Sequence, residues 1–479
     1  MAIPPQKTGR GEPDTGLGLL LMLLPAAMLL VLLLRKVWDS DIFWQLKIGE
    51  LILDRGGPVP GEPFAALHLG EPLPAVAWAG QAAMAAARRV GGWDLLRVFD
   101  AACWLGGFWA VAMACRLRGA SLPAVSMALG LTFLAALPTA SVRPQSFGCL
   151  CFGLLLALQR LGLRPLVTVG LGAPLLVAWQ NLHPSVSVAV VAMSLIAFVG
   201  WVGWWRGQGK VPIAATVLAL VGVLAIFATP DGISIIAISA ANARASIAMG
   251  VSEWLPLWDS INRFNAVPGI VVALLAVWLM IRNQRIEWLD LAPAIGLALL
   301  TLTAYRFVLF WAVAMVPVIA GAAGCSAPRP GRWEAVIVLG SLLLVAVIAP
   351  LSAPTRFAQS LPVKALQQMR AYHLHGTIYG DFRFGGVIID AGYPDWRVAY
   401  DGRFYRYTNE EWLYNNRIES GILRLGDVQR RWHPAAFLLD IRRNSSLVRQ
   451  LASSGTWRCI YAQDGIVAYV PAMRFSPRP

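Results

Sequence analysis

Long apolar runs alternate with short polar breaks along this chain, and the spacing of those runs predicts most of its elements. An unbroken run over 15–34 matches the roughly 20 residues that a helix needs to cross a bilayer. Similar runs at 94–115, 121–138, 144–160, 165–182, 185–205, 211–229, 266–282, 288–304, 306–324 and 333–352 predict about eleven spans. The first run lacks a small-residue cleavage site before Arg35 and Lys36, so it reads as an uncleaved membrane helix behind a polar cytoplasmic tail, 1–14. Between the first two runs, 41–55 repeats with helical period. Lys47, Glu50 and Asp54 share one stripe and Trp44, Ile48, Leu51 and Ile52 another, which predicts a helix lying on lipid at the membrane boundary. The Ala-rich segment 75–90 ends in Arg88 and Arg89 and is short and weakly apolar, so it predicts a surface helix that does not cross.

Past residue 354 the pattern changes to that of a water-facing domain. Segments 377–380, 397–400, 435–440, 457–461 and 466–470 read as strands, with helices at 409–419, 425–432 and 446–453 between them. The predicted fold is therefore an α-helical polytopic membrane protein: a transmembrane domain over 15–354, with a first outer loop at 35–93, and a C-terminal soluble α/β domain over 355–479. That domain carries no Gly-rich dinucleotide loop, no phosphate-binding Walker sequence and no His/Cys zinc spacing.

Composition fits this class: 57% of 479 residues are hydrophobic, 14% are charged, and the mean hydropathy is +0.60. A net charge of +14 and a pI near 10.0 raise the question of nucleic acid. In a membrane protein the same excess belongs to cytoplasmic loops and lipid-phosphate surfaces, so no nucleic-acid partner is expected. Cys103, Cys115, Cys149, Cys151 and Cys325 fall in or beside apolar runs and form no disulfide framework or thiolate metal spacing.

Charge also sets the orientation. Arg116 and Arg118, Arg160 and Arg164, Arg206 and Lys210, Arg282 and Arg285, and Arg329 and Arg332 occupy alternate loops, which puts those loops and the N-terminus in the cytoplasm. Arg35 and Lys36 then fall on the outer side, against that tendency.

The outer face receives Asp39, Asp41, Arg143, His183, Glu253 and Arg306, and they are expected to line one outward-opening cavity. Asp39 and Asp41, one residue apart, can accept a proton from a hydroxyl or hold a divalent cation. Asp39 also suits a helix cap. Arg143 and Arg306 suit a phosphate, whose oxygens a guanidinium meets with two parallel bonds, and they equally suit snorkelling at the interface. His183 precedes Pro184 at a helix break, and Glu253 sits beside Trp254 in an amphipathic loop, so each has a plain structural role available.

The stretch from Asp39-Ser40-Asp41-Ile42-Phe43-Trp44 to Glu50, followed by Arg55-Gly56-Gly57-Pro58-Val59-Pro60-Gly61-Glu62-Pro63-Phe64, resembles the first outer loop of bacterial multi-pass proteins of the GT-C glycosyltransferase superfamily. Trp78-Ala79-Gly80-Gln81, Arg143-Pro144-Gln145, Asn181-Leu182-His183, Glu253-Trp254, Arg306 and Asp401-Gly402-Arg403 resemble its recurrent positions in the same order. The resemblance implies a transferase that moves a sugar from a polyprenyl-phosphate donor, with inversion, to a saccharide or protein acceptor on the outer face of a bacterial inner membrane. It implies Asp41 as base, Asp39 as its partner or as a ligand, with Asp41, of Mg or Mn, and Arg143 and Arg306 as phosphate contacts, with His183 and Glu253 beside the substrate. The C-terminal domain would be periplasmic. A non-catalytic scaffold of the same architecture, binding a partner complex, is the alternative. A transporter fits less well, because the ionisable residues gather at span ends rather than at mid-membrane.

Overall fold

The computed structural model describes residues 15–324 and 330–472. The tail at 1–14, Cys325 and Arg329 lie outside the described residues.

Each of the eleven apolar runs is helical. The N-terminal part comprises α1 (Thr15–Leu34), α2 (Asp41–Arg55), α3 (Trp78–Leu117), α4 (Leu122–Ala136), α5 (Gln145–Leu161) and α6 (Pro165–Leu182). It continues with α7 (Ser187–Trp205), α8 (Ile213–Ala225), α9 (Ser234–Ala248), α10 (Arg263–Asn283), α11 (Trp288–Thr303), α12 (Val308–Ala323) and α13 (Arg332–Ser352). Among the described residues, eight helices are long and apolar enough to cross a membrane, and α5, α8, α9 and α11 are shorter apolar helices. These helices mark a membrane protein. Their outer faces agree: Leu339, Leu343 and Leu351 of α13 are 65%, 67% and 80% exposed, which water would penalise and lipid does not. At the centre stands α12, buried along almost its whole length.

Helix α3 is two helices joined at Gly91 and Gly92, where the backbone leaves helical geometry; Gly92 has φ +63°, which a residue with a Cβ rarely adopts. The part before this break packs on α2. Its arginines do not point to lipid headgroups: Arg88 holds Asp390 with bonds of 2.7 and 3.1 Å, and Arg89 holds Asp54 at 2.8 Å.

The C-terminal domain contains α14 (Val363–Arg370), β1 (Gly376–Gly380), α15 (Gly385–Gly392), β2 (Trp396–Val398), α16 (Asn409–Glu419), α17 (Leu425–Trp432), β3 (Ala436–Asp440), α18 (Ser445–Ser453), β4 (Trp457–Gln463) and β5 (Ile466–Pro471). Its sheet runs β2-β1-β3-β5-β4, with β1 parallel to β2 and β3 and the β3-β5-β4 side antiparallel. Helix α16 starts with a capping box, Thr408 and Glu411, which satisfies two of its exposed N–H groups.

One expectation is corrected here. The apolar stripe of α2 does not lie on lipid. Trp44, Ile48 and Ile52 are buried in a core that joins α2 and the first part of α3 to Phe384, Val387 and Ile388 of the C-terminal domain. An amphipathic stripe reports only that an apolar surface covers it, and here that surface is protein.

Candidate functional site

The loop leaving α1 is pinned before it reaches the acids. Val37 N–H donates to the Arg356 carbonyl at 2.9 Å, and Ala358 N–H donates back to Val37 at 2.8 Å. Asp39 Oδ1 then accepts the Asp41 N–H at 2.9 Å in an Asx turn that leads into α2; the cap position itself is Ser40, whose side chain makes no cap bond, so Asp39 does not cap the helix. Asp41 Oδ1 accepts from the indole of Trp44 at 3.1 Å. Asp39 is buried, whereas Asp41 keeps part of its surface open.

Arg143, in the turn before α5, ties the acids to the rest of the face. Its backbone N–H donates to Asp100 Oδ1 at 3.2 Å, its Nε to Gln145 Oε1 at 3.0 Å, and its Nη1 lies 3.4 Å from Asp39 Oδ2. Its Nη2 donates to Glu253 Oε2. Glu253 sits on the short turn Ser252–Trp254, which is joined to the Tyr305–Phe307 turn by Tyr305 N–H donating to the Leu255 carbonyl at 2.9 Å. The Arg306 guanidinium lies 4.0 Å over the Trp254 ring. Arg306 has no hydrogen bond or ion pair among the described residues. His183, just past α6, has Nδ1 2.8 Å from Ser185 Oγ, which also accepts from Trp179 Nε1 at 2.9 Å.

Electrostatics binds these groups into one unit. Burial, then the charge of Asp39, pushes Asp41 up to about 8. Burial alone would raise Glu253, but Arg143 and then Arg306 outweigh it and hold Glu253 down at about 2. Burial would lower Arg143, and Glu253 and Asp39 more than reverse that. His183 falls to about 3, through burial and then Arg306 and Arg143, so it is uncharged at neutral pH.

The C-terminal domain covers the acids. Gly402 lies so close that a Cβ there would stand 2.2 Å from Asp41 Oδ1, and a Cβ at Gly386 would stand 2.2 Å from the Ser40 carbonyl. Gly402→Ala must therefore displace the Asp41 carboxylate, and an overpacking loss of about 1–3 kcal/mol is expected in thermal or urea unfolding. The loss should shrink when Asp41→Ala is added, because the double variant restores the space.

The residues do not fit a divalent cation at Asp39 and Asp41. Among the described residues no three His, Cys, Asp or Glu groups gather to hold a metal, and the Arg143 guanidinium faces Asp39 where a cation would compete.

All six residues singled out in the sequence thus enter one linked cluster. No family model matches the chain, and no curated protein matches it. Among solved structures it is similar to the archaeal oligosaccharyltransferase AglB from Archaeoglobus fulgidus, in complex with an inhibitory peptide and a dolichol-phosphate. The identity is 12% and the TM-score 0.45, over 97% of this chain and 75% of that one. A likeness this loose leaves the site to be read from its own geometry.

Sequence reasoning missed Asp100 and Ser185, and met Gly402 only as part of the Asp401-Gly402-Arg403 resemblance. Asp100 had a signal, since it is a carboxyl inside an apolar run. Ser185 had none, and the contact of Gly402 with Asp41 could not be read, because both roles depend on other parts of the chain.

Proposed function

We propose that this protein is a membrane glycosyltransferase of the GT-C type, moving a sugar from a polyprenyl-phosphate donor to a hydroxyl acceptor with inversion. The observation that carries the reading is the cluster's division of charge. One arginine, Arg143, is held by Asp39 and Glu253, while the other, Arg306, stands with its guanidinium unpaired beside them. An unpaired guanidinium next to a carboxyl of raised pKa suits a phosphate leaving group and a proton acceptor.

In this reading Asp41 takes the proton of the acceptor hydroxyl as the hydroxyl oxygen bonds to C1 from the face opposite the phosphate. The bond from C1 to the phosphate oxygen breaks, and the phosphate leaves with that electron pair towards Arg306. Arg143 and Glu253 fix the geometry of that wall, and Asp39 orients the first turn of α2. His183 contributes hydrogen bonding without charge. The cytoplasmic N-terminus, the periplasmic 355–479 domain and the bacterial inner membrane belong to the same proposal.

A scaffold is the second reading, and one observation favours it. Gly402 is packed against Asp41, so the C-terminal domain closes over the carboxyl that an acceptor hydroxyl would have to meet. The test is release of polyprenyl phosphate by the purified full chain from a panel of polyprenyl-phosphate sugars, with bacterial membrane extract as the acceptor source. Release that depends on Asp41 supports the transferase; a chain inert with every donor supports the scaffold. In that assay Arg306→Gln is expected to raise the donor KM about tenfold to a hundredfold, the loss of one charge-assisted contact. An unchanged KM removes Arg306 from the phosphate site.

A further inference from the structure

Arg35 and Lys36 lie at the end of α1 on the face that carries the C-terminal domain, where loop charge alone would not put them, and the carboxylate cluster does not use them. Arg35 serves the fold, since its Nη1 donates to the Leu137 carbonyl at 2.7 Å, at the end of α4. Lys36 has no such role. It is exposed and has no hydrogen bond or ion pair among the described residues.

The fold brings it a companion from far along the chain. Val37 and Phe357 form an isolated parallel bridge, with Val37 N–H donating to the Arg356 carbonyl, so Lys36 and Arg356 are neighbours on adjacent extended segments. Arg356 is also exposed and has no side-chain partner among the described residues. Beneath them Arg97 is buried, donating to Thr355 Oγ1 at 3.1 Å and lying 3.6 Å from Asp94. Arg35, Lys36, Arg97, Trp38 and Asp100 are among the residues lining a small cavity here, and Arg356 stands beside it across the Val37–Phe357 bridge.

The parallel bridge also means that α1 and α13 both end at this cleft, and the two helices pack along each other. Below the cations their outer faces are apolar and open: Val31, Leu34, Val347 and Leu351 are all exposed. A cationic rim above two exposed apolar helix faces matches an anionic headgroup with acyl chains. The helix C-termini themselves favour cations, and Arg35 answers that need. Lys36 and Arg356 are surplus to it.

We propose that this cleft binds the phosphate of a membrane glycerophospholipid through Lys36 and Arg356, with the acyl chains along α1 and α13. The binding is separate from sugar transfer, and its test needs no transferase activity.

The experiment is native mass spectrometry of the purified full chain in detergent, titrated with phosphatidylglycerol, with diacylglycerol, and with inorganic phosphate as competitor. Phosphatidylglycerol should give retained one-to-one adducts, diacylglycerol should not, and millimolar phosphate should be needed to displace the lipid. The double variant Lys36→Ala/Arg356→Ala should bind phosphatidylglycerol about thirtyfold more weakly, roughly fivefold per cation removed. The exchange Lys36→Arg/Arg356→Lys should keep wild-type affinity. Should the alanine pair aggregate, Lys36→Gln and Arg356→Gln singly carry the test, each about fivefold weaker. Wild-type affinity in the alanine pair, or equal binding of diacylglycerol, overturns the proposal. Displacement by micromolar phosphate overturns it as well, since the site would then take the free anion.

Discussion

Replacing Arg403 by Leu is expected to cost about 3–5 kcal/mol of stability, the loss typical when one partner of a buried ion cluster is removed. The side chains of Arg403, Glu62 and Asp401 are all fully buried. Arg403 reaches Glu62 with bonds of 2.6 and 2.9 Å and Asp401 with bonds of 2.9 and 2.6 Å, while the Tyr407 hydroxyl donates to Asp401 at 3.1 Å. Without the guanidinium, two carboxylates remain in a space closed to solvent. The first outer loop would lose its hold on the C-terminal domain, because Glu62 also accepts the Phe64 and Ala65 N–H groups and so fixes that loop's turn. Denaturant unfolding measures the loss. The triple variant Glu62→Gln/Asp401→Asn/Arg403→Met, which neutralises these three and leaves only Arg406, 3.6 Å from Glu62, charged, should recover part of it. A single variant that unfolds like wild type would show that the cluster adds nothing to stability. The cluster also matters to the site, since Asp401 and Arg403 flank the Gly402 that covers Asp41.

What the sequence could disclose depended on whether a signal was local. Apolar runs are local, so the helices from α1 to α13 were legible, apart from α9. That segment is Ala-rich and weakly apolar, and it is helical where Ala245 joins the core of Tyr379, Phe404 and Tyr407. The C-terminal strands were legible from their patterns, as was the eight-residue α17, but α14 and α15 were not, since α14 takes its support from packing on α15 and α15 from packing on α2. The surface facing an apolar stripe is not local at all. Trp44 and Ile48 read the same whether lipid or protein covers them, and α2 was placed on the wrong partner for that reason. The cluster was legible as a set of polar residues at the ends of apolar runs. Its pairing was not, because whether Arg143 is neutralised and Arg306 left open is decided by the turn carrying Glu253.

Asp41→Asn is expected to lower transfer by about 10²–10⁴-fold, the usual contribution of a general base, while making the protein more stable at alkaline pH. The two effects have one cause. Burial and the neighbouring Asp39 raise Asp41 from its ordinary value near 3.8 to about 8, so the folded state keeps a proton that the unfolded chain releases. Over that interval the unfolded state binds fewer protons than the folded one, and the wild type loses stability as pH rises from about 4 to about 8. Asparagine has no proton to lose there, so the variant should match wild type near pH 4 and unfold at higher denaturant above pH 8. It keeps an oxygen for the Trp44 indole, which makes loss of the local fold a poor explanation for lost activity. Catalysis runs the other way with pH. A base works only in its ionised form, so kcat/KM of the wild type should climb with pH towards a plateau above about 8. In Asp39→Asn that climb should come at lower pH, because the largest charge raising Asp41 is gone. A scaffold shows the stability difference without any transfer to lose, whereas a transferase shows both, with opposite signs, from the same carboxyl. Full activity in Asp41→Asn, measured as polyprenyl phosphate released, would remove Asp41 from the chemistry whatever its effect on unfolding.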